Sequence, residues 1–248
     1  MPDDVGANRA TDNEVLWEQH ARWWQHTFTD GADPEYEDLI LPLVSRHLEG
    51  ARRVLDIGCG EGQVARRVAE LGADVVGLDP SATQVLVAHG RAGRPRYARA
   101  RAEALPCRND AFDAVVVCLA FEHVDAIDLA MREVARVLEP GGRFVMLVGH
   151  PLLQAPSSGW VDDQNTAEHY WRIGAYLREQ AEIDEVAPGV KLRFVHRPVS
   201  RYVQAIVDAG LLIDAMEEPA PPAALIRTLW QFPEAATIPR ILLLRARC

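Results

Sequence analysis

The sequence is almost without lysine: Lys191 is the only one in 248 residues, and the other basic side chains are arginines. With 26 basic against 36 acidic residues the net charge is −10, and no dense basic block with interleaved aromatics interrupts it. A nucleic-acid-binding surface shows itself as a basic patch or stripe. Arg91–Arg101 therefore reads as a solvated arginine-rich face, and no nucleic-acid partner is expected. The four cysteines, Cys59, Cys107, Cys118 and Cys248, contain no C-x-x-C pair, which argues against a zinc ribbon or a dithiol redox motif. Cys59 and Cys118 lie in apolar contexts and read as small buried groups. No metal-ligand cluster is visible, and no metal is expected. No uncharged apolar run reaches the roughly 18 residues needed to span a bilayer. Met1-Pro-Asp-Asp-Val5 places acid where a secretory leader places base. A cytoplasmic chain with no membrane partner and no disulfide framework is expected. Repeats and low-complexity tracts are also missing. What remains, 48% hydrophobic and 25% charged residues, is ordinary globular composition, and the length suits one domain with a lid.

Hydrophobic spacing then orders the chain. Residues 13–28 have helical spacing loaded with Leu16, Trp17, His20, Trp23, Trp24 and Phe28. Asp33-Pro34 reads as a cap and first-turn proline of a second helix that runs to about Glu49 and stops at Gly50. From there strands and helices alternate: strand Arg53–Ile57, helix Gly62–Leu71, strand Ala73–Leu78, a helix capped by Ser81 and running to about His89, and weak strand Tyr97–Arg99. Ala114–Cys118 is a β-branched run typical of a strand buried on both faces. Helix Asp125–Leu138, a turn at Pro140-Gly141-Gly142 and a fifth strand, Arg143–Val148, follow. This rhythm predicts a parallel sheet with right-handed crossovers. The tail departs from it: loops and one polar helix near Thr166–Ala181, a helix Ser200–Ala209, then strands Leu211–Ala215 and Ile238–Arg245 forming an antiparallel edge.

The stretch Val54-Leu-Asp-Ile-Gly-Cys-Gly-Glu-Gly-Gln63 carries the chemistry. Gly58, Gly60 and Gly62 follow a strand and open a helix, which lets backbone approach a ligand closely. The dinucleotide fingerprint would need glycine at position 63, where this chain has Gln63. Asp56 ends the strand facing the loop; a pyrophosphate would be repelled there, while a sulfonium and an ammonium would be attracted. Asp79 ends the second strand, placed to accept ribose hydroxyls.

Together with Val76-Gly-Leu-Asp-Pro-Ser81, Ala102-Glu-Ala-Leu-Pro106 with Phe112-Asp113, Phe121-Glu-His-Val124 and Arg136-Val-Leu-Glu-Pro-Gly-Gly142, that stretch resembles the class I S-adenosylmethionine-dependent methyltransferases. The resemblance is to the small-molecule type related to the quinone-biosynthesis enzymes. It covers about residues 50–148, and His196-Arg-Pro-Val-Ser-Arg-Tyr202 in the tail looks similar too. The resemblance implies an α/β fold: a Rossmann-like, doubly wound, seven-stranded sheet, mostly parallel with an antiparallel last strand. Residues 1–49 would then be a helical N-terminal cap, 50–149 the cofactor-binding core, 150–199 a lid or substrate insertion, and 200–248 the closing helix and strands of one methyltransferase domain. It implies S-adenosylmethionine as cofactor, contacted at Asp56, Gly58, Cys59, Gly60, Asp79, Pro80, Ala102, Glu103, Cys118 and Leu119. Where the family often has an acidic residue before Ala102 this chain has Arg101, which shifts adenine recognition onto Ala102 and Glu103.

Methyl transfer to a small-molecule acceptor, on oxygen or carbon, is the leading expectation. A dinucleotide-dependent oxidoreductase, disfavoured by Asp56 and Gln63, and a cofactor-binding protein without catalysis are the alternatives. Among eight histidines, His123 and His150 follow strands at the ligand edge and His196 can reach in from the tail. Each either orders its surroundings or serves as the base an alcohol acceptor needs. His47 and His89 read as solvent-facing. Trp17, His20, Trp23 and Trp24 share roughly one helical face and, with Tyr36, form either core or a cover for the cleft. Trp160, Tyr170, Trp171 and Tyr176 are candidates for a substrate wall.

Overall fold

In the computed structural model, residues 12–29, 32–91, 93–166, 168–229 and 233–248 are described; the reading of Met1–Val5 lies outside them. In chain order the elements are α1 (Asp12–Phe28), a π-turn at Tyr36–Ile40 leading into α2 (Leu41–Leu48), β1 (Arg53–Ile57), α3 (Gln63–Glu70), β2 (Asp74–Asp79) and α4 (Ala82–Gly90). There follow β3 (Arg96–Arg99), β4 (Phe112–Cys118), a 3₁₀ turn at Phe121–His123, α5 (Ile127–Val137), β5 (Leu138–Gly149) and α6 (Pro151–Gln154). The chain continues through β6 (Gly159–Asp163), β7 (Glu168–Arg172), β8 (Gln180–Ala187), β9 (Val190–His196), α7 (Val199–Asp208), β10 (Leu212–Glu217), α8 (Ala223–Leu229) and β11 (Ile241–Arg247).

Seven strands form one sheet in the order β10-β11-β5-β4-β1-β2-β3. The β1, β2, β3, β4 and β5 pairings are parallel, and β11 runs antiparallel between β5 and β10. The antiparallel strand is thus last in the chain and internal in the sheet. The inner strands alternate between two faces with period two. Leu55, Ile57, Val115, Val117, Phe144 and Met146 pack with α5 and α7. Val54, Val116, Val145 and Leu147 pack with α2, α3 and α4. Burial on both faces is what a parallel sheet requires, and it explains the continuous apolar run of β4.

The local signals work as read in the first half. The Asp33 carboxylate accepts the Glu35 N–H at 2.9 Å, the Ser81 hydroxyl accepts the Gln84 N–H at 3.1 Å, and Gly50 and Gly210 stop their helices with positive φ. Four expectations change. The polar helix over Thr166–Ala181 does not form; two antiparallel hairpins, β6–β7 and β8–β9, occupy the insertion. Pro140–Gly142 is not a free turn but part of β5, whose pairing with β4 slips between Phe112 and Ala114. The second helix contains a π-turn that swings Tyr36 inward, where it is buried. His47 is buried, its Nε2 2.8 Å from Glu217 Oε1; α2 covers the sheet edge and takes the histidine with it.

Gly62 shows how tightly the first crossover is built. Its φ is +86°, and an added Cβ would run into the Tyr97 ring. Gly62→Ala is expected to destabilise the fold by about 1–3 kcal/mol, from αL strain plus a displaced aromatic ring. The check is urea unfolding against wild type; an unchanged midpoint would count against this packing.

Candidate active site

The carboxyl ends of the parallel strands frame a cleft with about 1130 Å³ of empty space, its open mouth included. The β1 register places Asp56 opposite Gly77 and Val116, so the β1, β2 and β4 ends arrive at similar heights. The loop from Gly58 to Gly62 is pinned there: Gly58 N–H donates to Leu78 O at 2.7 Å and Gly62 N–H to Cys59 O at 2.8 Å. An added Cβ on Gly58 would collide with Ala120 Cβ. On the far wall Leu119 holds a φ of +51°, a left-handed conformation that costs a leucine free energy and is retained mainly where surroundings fix it.

All ten residues that the resemblance implies as cofactor contacts lie in this wall: Asp56, Gly58, Cys59, Gly60, Asp79, Pro80, Ala102, Glu103, Cys118 and Leu119. The Asp79 carboxylate accepts the Gly60 N–H at 2.9 Å and the Ser81 N–H at 2.8 Å. Asp56 is 1% exposed, and its Oδ2 has no hydrogen-bond partner. Burial, with Asp79 nearby, pushes Asp56 up to about 8. Burial pushes Asp79 to about 6, against the pull of the Ser81 and Gly60 amides. Glu14, Glu61, Glu103 and Asp125 add carboxylates to the wall, with Arg101 among them. Such a cleft favours cations and disfavours a pyrophosphate. The orphaned Asp56 oxygen, the glycine cradle and the partnered Asp79 suit a ligand with a sulfonium, an ammonium and a ribose.

Helix α1 roofs the cleft. The Ser81 and Thr83 hydroxyls each donate to the Glu18 carboxylate at 2.6 Å. Gln25 Nε2 donates to Gln84 Oε1 at 2.9 Å. Arg101 pairs with Glu14 at 3.1 Å, and the Asn13 amide donates to His123 O. None of these latches was picked out from sequence, because polar residues on a surface helix have no pattern that distinguishes a latch from a solvated face. Trp17 and Trp24, two turns apart, line the cleft with Tyr36, their rings in edge contact at 5.2 Å and 6.3 Å. Trp23 instead packs on Phe28 at 5.4 Å. His20 lies against β9, accepting the Lys191 N–H at 3.4 Å. The expected single face of four residues is therefore split.

The three candidate histidines part company. His123 lines the cleft. Its Nδ1 donates to Arg193 O at 2.9 Å, and its ring meets Trp17 at 4.9 Å and Phe194 at 4.7 Å. Burial presses it down to about 4, so the ring is neutral at pH 7, and with Nδ1 as donor its Nε2 is the accepting nitrogen. His150 lies outside the cleft wall: its Nδ1 accepts the Leu152 N–H at 3.1 Å and its Nε2 meets Glu218 at 2.8 Å. His196 is also outside, its Nε2 donating to Tyr176 O at 2.7 Å. Both lie buried in the packing of the insertion and tail. Trp160 and Trp171 stack edge to face at 5.7 Å across the β6–β7 hairpin, Trp171 donates to Leu152 O, and Tyr170 is exposed; none of the three lines the cleft.

A glycine-looped sheet end lined with carboxylates under a helical roof defines an enzyme that binds a cationic nucleoside. The methyltransferase domain family matches residues 55–146. An uncharacterized methyltransferase of Mycobacterium tuberculosis is 33% identical over 175 residues, 71% of this chain and 67% of that protein. A ubiquinone biosynthesis O-methyltransferase of Brucella ovis is 40% identical over 116 residues, 45% of this chain and 46% of its own length. The crystal structure of an S-adenosylmethionine-dependent methyltransferase from Mesorhizobium loti superposes with a TM-score of 0.72 at 32% identity, covering 84% of this chain and 96% of that one. The chain belongs to the class I S-adenosylmethionine-dependent methyltransferases, and S-adenosylmethionine is its cofactor. Among the described residues no helix is long and apolar enough to cross a membrane.

The buried acids give the empty protein a distinctive pH dependence. Between the ordinary aspartate value of 3.8 and about 8, native Asp56 keeps a proton that the unfolded chain has lost. Its stabilising contribution is therefore lost as pH rises through about 8. Glu122, raised by burial to about 7, acts in the same direction. His123, lowered from 6.5 to about 4, opposes them only below 6.5. The melting temperature of the cofactor-free protein is expected to fall as pH rises from 6.5 through 8, and Asp56→Asn to make that fall shallower. A melting curve series in matched buffers reads both.

Proposed function

We propose that this enzyme transfers the methyl group of S-adenosylmethionine to a small-molecule acceptor, on oxygen or carbon, inside the cleft roofed by α1. One observation carries the reading: the roof bears Trp17 and Trp24 on its inner face and is latched to the loops after β2, β3 and β4. This encloses a ligand of small-molecule size rather than leaving a groove for a polymer. In this reading residues 1–49 act as cap, 50–149 as cofactor-binding core, 150–199 as substrate-side insertion, and 200–248 complete the sheet. The ubiquinone biosynthesis O-methyltransferase relative supports a hydroxyl as the acceptor group.

The cofactor, when bound, supplies the electrophilic methyl carbon. Asp79 would hold the ribose hydroxyls, Asp56 and the glycine loop would face the methionine end, and Ala102 and Glu103 would meet the adenine. Trp17, Trp24 and Tyr36 exclude water and hold the acceptor within near-attack distance, about 3–3.5 Å. His123 Nε2 would accept the hydrogen bond of the acceptor hydroxyl and take its proton once that oxygen has displaced the methyl from sulfur, which would leave with the bonding pair as a neutral thioether. The methylated, still protonated oxygen is a far stronger acid than an imidazolium, so even an imidazole of lowered basicity suffices.

Incubation of a metabolite extract with methyl-labelled S-adenosylmethionine should place label in the low-mass fraction; label in protein or nucleic acid would overturn the reading. Asp79→Ala should weaken S-adenosylhomocysteine binding by about 1–3 kcal/mol in calorimetry, the cost of a lost charge-assisted bond; equal affinity would remove Asp79 from the ribose site. On a hydroxyl acceptor His123→Ala should lower kcat by about 10²–10⁴-fold with cofactor affinity kept, while His150→Ala and His196→Ala leave the chemical step unchanged. Near-normal turnover of His123→Ala would point instead to an activated carbon.

A further inference from the structure

The His196-Arg-Pro-Val-Ser-Arg-Tyr202 segment at the end of the insertion has no part in the cleft wall, yet it holds a fully buried guanidinium. Arg197 is 1% exposed. Its Nη1 donates to Phe121 O at 3.2 Å, and its Nη2 donates to Val124 O at 2.7 Å and Asp125 O at 2.9 Å. These three carbonyls bracket His123 on the turn that follows β4. On its other side the guanidinium meets Glu179 at 3.4 Å, which Arg201 also holds at 3.3 Å. A fully buried guanidinium is costly unless its donors are used, and here most of them are spent on one loop. β9, which leads into Arg197, also supplies the carbonyl of Arg193 that fixes His123 Nδ1 and the Phe194 ring beside its imidazole.

We propose that Arg197 is a positioning residue for His123: by clamping the carbonyls of Phe121, Val124 and Asp125 it holds the imidazole against Arg193 O and keeps Nε2 turned to the acceptor. The inference rests on the role given to His123 above. It also assigns a task to the insertion between β5 and α7. The hairpin of β8 and β9 supplies no residue of the cleft wall but acts on the reaction from behind, through the buried arginine that follows β9. Arginine is required rather than lysine because its planar fork reaches several carbonyls at once.

Histidine-ring ¹H–¹⁵N correlation spectra of the full chain at pH 7 test this, recorded with and without S-adenosylhomocysteine and assigned with His123→Asn. In the wild type His123 should show a single neutral tautomer protonated at Nδ1. Arg197→Met should replace it by an averaged pattern of both tautomers, and Arg197→Lys should recover part of the wild-type signature. Affinity for S-adenosylhomocysteine should stay within about twofold in both variants, because none of the ten residues assigned to the cofactor bonds to Arg197. A folded Arg197→Met protein with an unaltered His123 pattern overturns the proposal, as does a wild-type ring protonated at Nε2. Should Arg197→Met fail to fold, Glu179→Gln, at a half-exposed position, decides: tautomer mixing supports the clamp and an unchanged pattern overturns it. Loss of S-adenosylhomocysteine binding by the wild type would sink the cleft assignment while leaving the ring spectra to judge the clamp.

Discussion

Burying Asp56 beside Asp79 at the ends of β1 and β2 costs free energy that the empty cleft repays only in part. Asp79 recovers some of it from the amides of Gly60 and Ser81; Asp56 leaves one oxygen without a partner. A fold free to optimise its own stability would not place two carboxyls there. The parallel pairing of β1 with β2 and β4 forces them together, because the register fixes which residue each strand presents at its carboxyl end. The remainder of the site can be read as an answer to that arrangement: a glycine loop that brings backbone N–H groups close, a roof over the cleft, and a wall rich in carboxyl groups that favours a cationic ligand.

That constraint also explains why strain collects at this edge. Leu119 in a left-handed conformation, the π-turn that directs Tyr36 inward, and glycines whose Cβ atoms would strike Ala120 or Tyr97 all lie around the cleft. The two packed faces of the sheet, with β4 buried between them from Ala114 to Cys118, supply the rigidity that holds such conformations in place.

The strands of the sheet and their mostly parallel direction were legible because a buried parallel strand leaves a mark few other elements leave, a short β-branched run closed by glycine or aspartate. Asp56, the glycine loop and Asp79 stood out because they sit at strand ends, where spacing and chemistry coincide; the other residues expected on the cofactor side came from the family resemblance alone, and all ten lie in the cleft wall. The insertion was not. Residues 166–181 are polar and of no strict period, and a helix was expected where β7 and the start of β8 form. The missed signal was Pro188-Gly189, a turn pair between two alternating segments, with Gly189 at positive φ. The histidines were separated only by three-dimensional contacts. His123 and His150 occupy equivalent strand-end positions in sequence, and nothing local tells that one faces the cleft while the other caps α6 and meets Glu218. Arg197 was illegible for the same reason, since a buried guanidinium looks like any surface arginine until its carbonyl partners are located.

One helix both roofs the cleft and furnishes two of its aromatic lining residues, Trp17 and Trp24. Its fastenings run to three separate loops: Glu18 to Ser81 and Thr83, Glu14 to Arg101, and Asn13 to the carbonyl of His123. Under the proposed function, a ligand that enters or leaves past α1 does so only as these polar contacts let go, and the same movement carries Trp17 and Trp24 away from the cleft.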